Sequence, residues 1–300
     1  MKTPPYLKKG DTVAIVCTAS AVKGGIADGI RVLESWGLRV LVSPSVSASW
    51  NTFAGTDALR QEDLQQALDD VTVKAVFAAR GGYGTVRIID AIDFTSFAKN
   101  PKWLIGFSDI TVLHSHIQRQ TSVASIHGQM PKSFEKGTAS SLESLRKALF
   151  GEESTIEYTS ANAAHRDGEA EGVLIGGNLA ILQSILGSAS DPEYDDKILF
   201  IEDVGEALYN TDRMLRTLKR AGKLAKLRGL IVGGFTAIRE SDPPFGQDIP
   251  QIVLEIVEEY GYPVAFDFPA GHIEDNHALV FGANTRLSVA NNRIKLTYIS

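Results

Sequence analysis

Four short stretches of this chain carry residues able to do nucleophilic or acid–base chemistry. Ser108 stands in Gly106-Phe107-Ser108-Asp109-Ile110-Thr111, directly after an apolar run and directly before a helix-like one. A serine at such a strand–turn–helix corner holds its hydroxyl at the tip, and the N–H groups that follow point toward a developing oxyanion. Ile110 stands where the Gly-x-Ser-x-Gly elbow has its second glycine, and a simple helix cap by Ser108 or Asp109 explains the same residues. Arg80-Gly81-Gly82-Tyr83-Gly84 offers exposed N–H groups for an anion or oxyanion, or only a turn. Its spacing fits neither Gly-x-Gly-x-x-Gly nor a P-loop. Glu202 and Asp203 end an apolar strand, where one acid could orient a histidine or both could decorate a helix start. His272, after Gly271 in a loop between β runs, suits a catalytic imidazole or is an ordinary loop histidine.

The remaining candidates carry less. His114 and His116 are two apart on one helix and fall on different faces, so they make no metal pair. His127 ends a strand and could line a cleft. Helical zinc spacing is absent, and the single cysteine, Cys17, permits neither a disulfide within the chain nor a Cys-based zinc site. What stands out is the set. A serine needs a base to attack at neutral pH, and the base needs an acid to fix its tautomer. Serine, acid and histidine occur here in that order, each at or beside a strand end, although order alone does not bring them together.

Ligands of open α/β sheets bind beyond the C-terminal ends of the strands, so the elements before these residues must position them. The first half alternates apolar runs with helix-like stretches: strands at Thr12–Cys17, Arg39–Val42, Lys74–Ala79, Trp103–Gly106 and Val123–Ile126. Helices are expected over Gly24–Trp36, Thr56–Asp70, Thr85–Ala91 and Asp109–Gln120. This alternation predicts a parallel sheet with right-handed crossovers. Gly151–Glu171 is polar and aperiodic and reads as a linker between domains over 1–150 and 172–300. After it come strands at Gly172–Ile175, Ile198–Ile201, Leu227–Val232 and Val264–Phe266. Helices are expected over Asn178–Leu186, Asp212–Arg220 and Ile249–Tyr260. Three final β runs, Ala278–Phe281, Thr285–Val289 and Arg293–Tyr298, the last two joined at Asn291-Asn292, make the second sheet mixed and partly antiparallel.

Composition sets the outer limits. At 300 residues, 44% hydrophobic and 22% charged, the chain can bury a core without crosslinks. A net charge of −6 argues against a protein that binds phosphate backbones. No signal-like N-terminus or membrane-length apolar run is visible, so a cytoplasmic protein is expected.

The ordered set of motifs resembles the serine LD-carboxypeptidase, or muramoyltetrapeptide carboxypeptidase, family, which includes the microcin C immunity peptidases. The residues that carry it are Gly10–Val16, Ala79–Gly84, Gly106–Thr111, Ile175–Leu179, Phe200–Glu206, Tyr209–Leu215 and Gly271-His272. The resemblance implies a flavodoxin-like N-terminal domain carrying a catalytic Ser108 and a C-terminal mixed α/β domain carrying the rest. It gives His272 as general base and then acid, and Glu202 as orienting carboxylate, with Asp203 the second choice. It implies an oxyanion hole from the N–H groups of Asp109 and Gly82, no metal or cofactor, and a homodimer. The expected reaction is hydrolysis of the L,D bond that releases terminal D-alanine from a murein tetrapeptide. One alternative is an immunity-type peptidase acting on an aminoacyl-nucleotide conjugate. The other is a non-catalytic module that binds a small ligand. Gln129 departs from the family pattern, which has proline there, a departure that bears on the cleft wall and not on the triad.

Overall fold

The apolar run Thr12–Val16 forms β1, and α1 (Ala27–Ser35) returns the chain to β2 (Arg39–Val42). α2 (Asp57–Asp69) is capped by Thr56 and leads to β3 (Val73–Ala78). Then come α3 (Thr95–Lys99), β4 (Trp103–Gly106), α4 (Thr111–Thr121) and β5 (Ser125–His127). These five strands are parallel, in the order β2-β1-β3-β4-β5. The computed structural model describes residues 1–162 and 164–299.

α5 (Ala139–Phe150) crosses to the second sheet, built from β6 (Thr155–Thr159), β7 (Gly168–Asn178), β8 (Lys197–Val204), β9 (Gly229–Thr236) and β10 (Val264–Ala265). Its helices are α6 (Leu179–Ser184), α7 (Leu208–Arg220) and α8 (Ile249–Ile256). Of the last three strands, β11 (Leu279–Phe281) leaves this sheet, while β12 (Asn284–Ala290) and β13 (Arg293–Tyr298) complete it. The order is β10-β9-β8-β7-β12-β13-β6, parallel from β10 to β7 and antiparallel beyond. Apolar clusters cover both faces of each sheet. Both Asn291 and Asn292 adopt positive φ at the β12–β13 turn, as a tight hairpin requires.

Three differences from the sequence reading have physical causes. The stretch 151–171, read as a linker, holds β6 and the start of β7. β6 is an edge strand with Ile156 and Tyr158 turned inward and its other side chains exposed, so its apolar content is thin. The helix expected over 85–91 is two successive 3-10 turns, because the Gly84 carbonyl accepts from the Arg87 N–H at 3.1 Å and from the buried Arg60 guanidinium at 3.0 Å. β11, from the C-terminal half, pairs antiparallel with β5 and closes the edge of the first sheet.

Candidate active site

The elbow begins where β4, buried along its whole length, runs into extended Phe107. Ser108 then has φ +65°, a left-handed conformation that a serine adopts only where its surroundings impose it. A 3-10 turn over Ser108–Ile110 feeds α4, and no side-chain cap hydrogen bond forms at either start. The cap explanation for these residues is thereby lost. The Asp109 carboxylate turns instead to the glycine loop and accepts the Thr85 N–H at 2.8 Å. Burial, working against that hydrogen bond, raises the pKa of Asp109.

The glycine loop presses on the serine. A Cβ on Gly81 would stand 2.9 Å from Ser108 Cβ and 3.1 Å from its Oγ, so only glycine leaves the hydroxyl its place. Gly82 has φ +118° and lies against Ser20, whose hydroxyl accepts the Tyr83 N–H at 3.2 Å. Among the described residues, no protein acceptor serves the N–H groups of Gly82 and Asp109. The fully buried Arg60 fixes the loop from behind, bonding the carbonyls of Thr18 and Gly84 and pairing with Asp57.

The two candidate acids part company at the end of β8. Successive strand residues point to opposite faces. Glu202, fully buried, points to the face of Phe200 and accepts from His272 Nδ1 at 2.6 Å and from the His272 backbone N–H at 3.2 Å. Asp203 points to α6, where it accepts from Asn178 Nδ2 and from the Ala180 N–H, both at 2.9 Å. Asp203 is thus a helix-start anchor, and burial raises its pKa to about 6.

His272 sits in the loop between β10 and β11. Gly271 has φ +111° and a Cβ there would fall 2.7 Å from Glu202 Cβ, which allows the loop to cross directly over the acid. The Thr236 hydroxyl holds the His272 carbonyl at 3.1 Å. The His272 side chain is 19% exposed, and its ring meets that of Phe107 edge-on, with centroids 5.0 Å apart. The base candidate therefore packs against the residue immediately before Ser108. Burial pulls its pKa down, but the hydrogen bond and charge of Glu202, with Asp203 adding, outweigh burial and hold it above the ordinary 6.5.

Three further histidines lie buried within the fold. His114 bridges Ser125 Oγ at 2.8 Å and the Gly106 carbonyl at 2.9 Å, and burial lowers its pKa to about 4. His116 bonds Ser190. His127 is completely buried rather than lining an open cleft. Gln129 is buried too; its amide reaches the Glu274 carbonyl at 3.1 Å and accepts the Ser133 hydroxyl at 2.6 Å, so it ties the His272 loop down. Sequence reasoning missed Ser20, Arg60 and Thr236, ordinary residue types whose positions carry no local signal.

A two-domain α/β protein with a strained serine at a strand end and an acid–histidine pair beside it is the class this geometry defines. The family model for the LD-carboxypeptidase N-terminal domain matches residues 13–128, and that for the C-terminal domain matches residues 171–287. The chain belongs to the LD-carboxypeptidase family. It is 35% identical over 294 residues to a probable murein peptide carboxypeptidase of Bacillus subtilis, covering 96% of this chain and 92% of that one. It superposes on the crystal structure of a muramoyltetrapeptide carboxypeptidase from Oxalobacter formigenes with a TM-score of 0.88 at 30% identity, over 96% and 99% of the two chains. The microcin C7 self immunity protein MccF, in complex with aspartyl sulfamoyl adenosine, shares the fold at a TM-score of 0.86 and 21% identity, over 98% of each chain.

Proposed function

We propose that this chain is a serine LD-carboxypeptidase that hydrolyses the L,D peptide bond of murein tetrapeptides and releases terminal D-alanine. The observation that carries the reading is the Glu202–His272 contact set against Phe107, beside a Ser108 held at positive φ. The strand order β2-β1-β3-β4-β5 supports a flavodoxin-like nucleophile domain, with the serine at the C-terminal end of β4. A small-ligand module has no use for a strained serine and a paired histidine. The murein substrates of the two similar carboxypeptidases support the substrate class.

In this mechanism Glu202 accepts from Nδ1–H of His272, which leaves Nε2 free as base. Nε2 takes the Ser108 hydroxyl proton while Oγ bonds the scissile carbonyl carbon. The oxyanion lies between the N–H groups of Gly82 and Asp109. Collapse breaks the C–N bond, and the proton on Nε2 passes to the departing amine of D-alanine. Water then loses a proton to Nε2 as it attacks the ester carbon; collapse breaks the bond from that carbon to Oγ, the proton on Nε2 passes to Oγ, and Ser108 and the shortened peptide are freed.

The test is turnover of an L,D-tetrapeptide by wild type and Ser108→Ala, each with and without chelator. We expect loss of about 10⁴–10⁶-fold in kcat for the variant and no chelator effect on wild type. Substantial hydrolysis by Ser108→Ala, or loss in chelator alone, overturns the mechanism. An aminoacyl sulfamoyl adenosine serves as the competing substrate: faster turnover of it than of the tetrapeptide makes the chain an immunity-type peptidase instead. The same reading carries a cytoplasmic homodimer that trims wall fragments. Light scattering at twice the chain mass supports the dimer, and the mass of one chain refutes it.

A further inference from the structure

His127 and Asn276 are two buried side chains that the mechanism does not use. His127, the last residue of β5, lies opposite Gly106 in the β4–β5 register, two residues before Ser108. Its ring packs among those of Phe107, Phe200 and Phe281, with centroids 5.7, 5.1 and 5.5 Å away. Among the described residues, neither ring nitrogen has a hydrogen-bond partner. Burial, together with the nearby His114 and His272, holds its pKa well below 6.5. The segment that follows Asn276 runs along this strand: β11 sets Leu279 opposite His127, and a Cβ on Gly128 would stand 3.5 Å from Ala278 Cβ.

Asn276 is fully buried at the far end of the loop that carries His272. Its Oδ1 accepts the Gly271 N–H at 2.8 Å, which closes the loop on itself. That bond fixes the amide orientation, so Nδ2 is left as a donor, and it too has no partner among the described residues. A neutral imidazole has one nitrogen free to accept. An unmatched buried donor beside an unmatched buried acceptor is costly unless the two meet.

We infer that His127 and Asn276 form a buried acceptor–donor pair that sets the His272 loop against the serine elbow. Neither is a catalytic residue; both are positioning residues, and the inference rests on the Ser108–Glu202–His272 reading. One member is fixed to the nucleophile's sheet and the other to the base's loop. The pair therefore spans the seam between the two halves of the proposed triad. Proximity of this kind matters because a shift of about 1 Å at a reacting centre can cost on the order of 10²-fold in rate.

The test compares His127→Gln with His127→Phe. Glutamine keeps a hydrogen-bond acceptor but breaks the aromatic cluster; phenylalanine fills the cluster but accepts nothing. We expect His127→Gln to retain kcat on the tetrapeptide within about fivefold, and His127→Phe to lose about 30-fold or more with KM little changed. Equal or better kcat for His127→Phe overturns the inference and makes the site a packing position. Asn276→Asp, which still accepts the Gly271 N–H but donates nothing, is expected to match His127→Phe in kcat; wild-type kcat for it overturns the pair. Nitrogen-15 spectra of the wild-type protein give a readout free of turnover: a coupling across the hydrogen bond from Asn276 Nδ2 to a His127 ring nitrogen should be seen and should vanish in Asn276→Asp, and its absence from wild type refutes the pairing even if the tetrapeptide is not a substrate. Failure of wild type to hydrolyse the tetrapeptide, with that coupling present, would count against the function alone.

Discussion

Glu202 grips His272 at two points through one oxygen: Oε2 accepts from the ring Nδ1 at 2.6 Å and from the backbone N–H of the same residue at 3.2 Å. The grip fixes both the tautomer and the place of the loop. It also means that the acid cannot be weakened without loosening the base.

The first consequence is a pH profile. His272 is held above 6.5, so the free base that the mechanism needs fills as pH rises through that higher value. We expect kcat/KM to climb over this limb. Glu202→Gln should lower kcat by roughly 10²–10⁴-fold and move the limb downward, since the amide brings no charge. A group whose folded pKa is raised adds stability below its unfolded value and loses that contribution as pH rises through the folded value. The melting-temperature gap between wild type and Glu202→Gln should therefore narrow as pH rises above 6.5. A limb unmoved by Glu202→Gln would count against this pairing.

Gly81 and Gly271 each stand against one member of the proposed triad. Gly81→Ala would push on Ser108 Cβ and Oγ, and Gly271→Ala on Glu202 Cβ while strained at φ +111°. We expect both to cut kcat by on the order of 10²-fold. Gly271→Ala should cost more in melting temperature, because positive φ adds backbone strain of about 1–3 kcal/mol. Thermal melts beside kinetics separate the two.

Asp203 makes the opposite case from Glu202. Asp203→Ala strands the Asn178 amide and the Ala180 N–H, and should destabilise by roughly 2–4 kcal/mol. Its kcat/KM on the tetrapeptide should stay within a few-fold of wild type. With its folded pKa raised from 3.8 to about 6, the wild-type carboxyl favours folding below pH 3.8 and loses that contribution as pH rises to about 6. Denaturation curves across that range should show the slope in wild type and lack it in Asp203→Ala.

Gln129→Ala should remove the bond to the Glu274 carbonyl and leave Ser133 without its 2.6 Å acceptor. The expected loss is about 1–2 kcal/mol in urea unfolding. Faster amide exchange in the 272–277 loop would locate the effect.

The elements that could be read in the sequence are those with a strong local pattern. β2, β4 and β13 have the bounds that the apolar runs indicate. The Asn291-Asn292 turn follows from residues that tolerate positive φ. α5 went unread, although Thr138 caps it, accepting the Ser141 N–H at 3.0 Å, and Gly151 ends it in a left-handed conformation, two signals that mark its ends. β6 and the crossing of β11 left no such mark, because pairing partners far along the chain decide them.

For the site, the residue types and their order were present in the chain from the start: a serine at a strand–helix corner, two adjacent acids at a strand end, and a histidine after a glycine. Local chemistry could not choose between a capped helix and an elbow, or between Glu202 and Asp203. In the tertiary structure no side-chain cap forms at this corner, and of the two acids it is Glu202 that meets His272. The packing of the glycine loop goes with a left-handed Ser108, and the pleat of β8 sends one acid to His272, 70 residues away, and the other to α6. A strand's alternation is written in the sequence, but which face meets the histidine depends on how the sheet is covered, and that is a property of the folded chain.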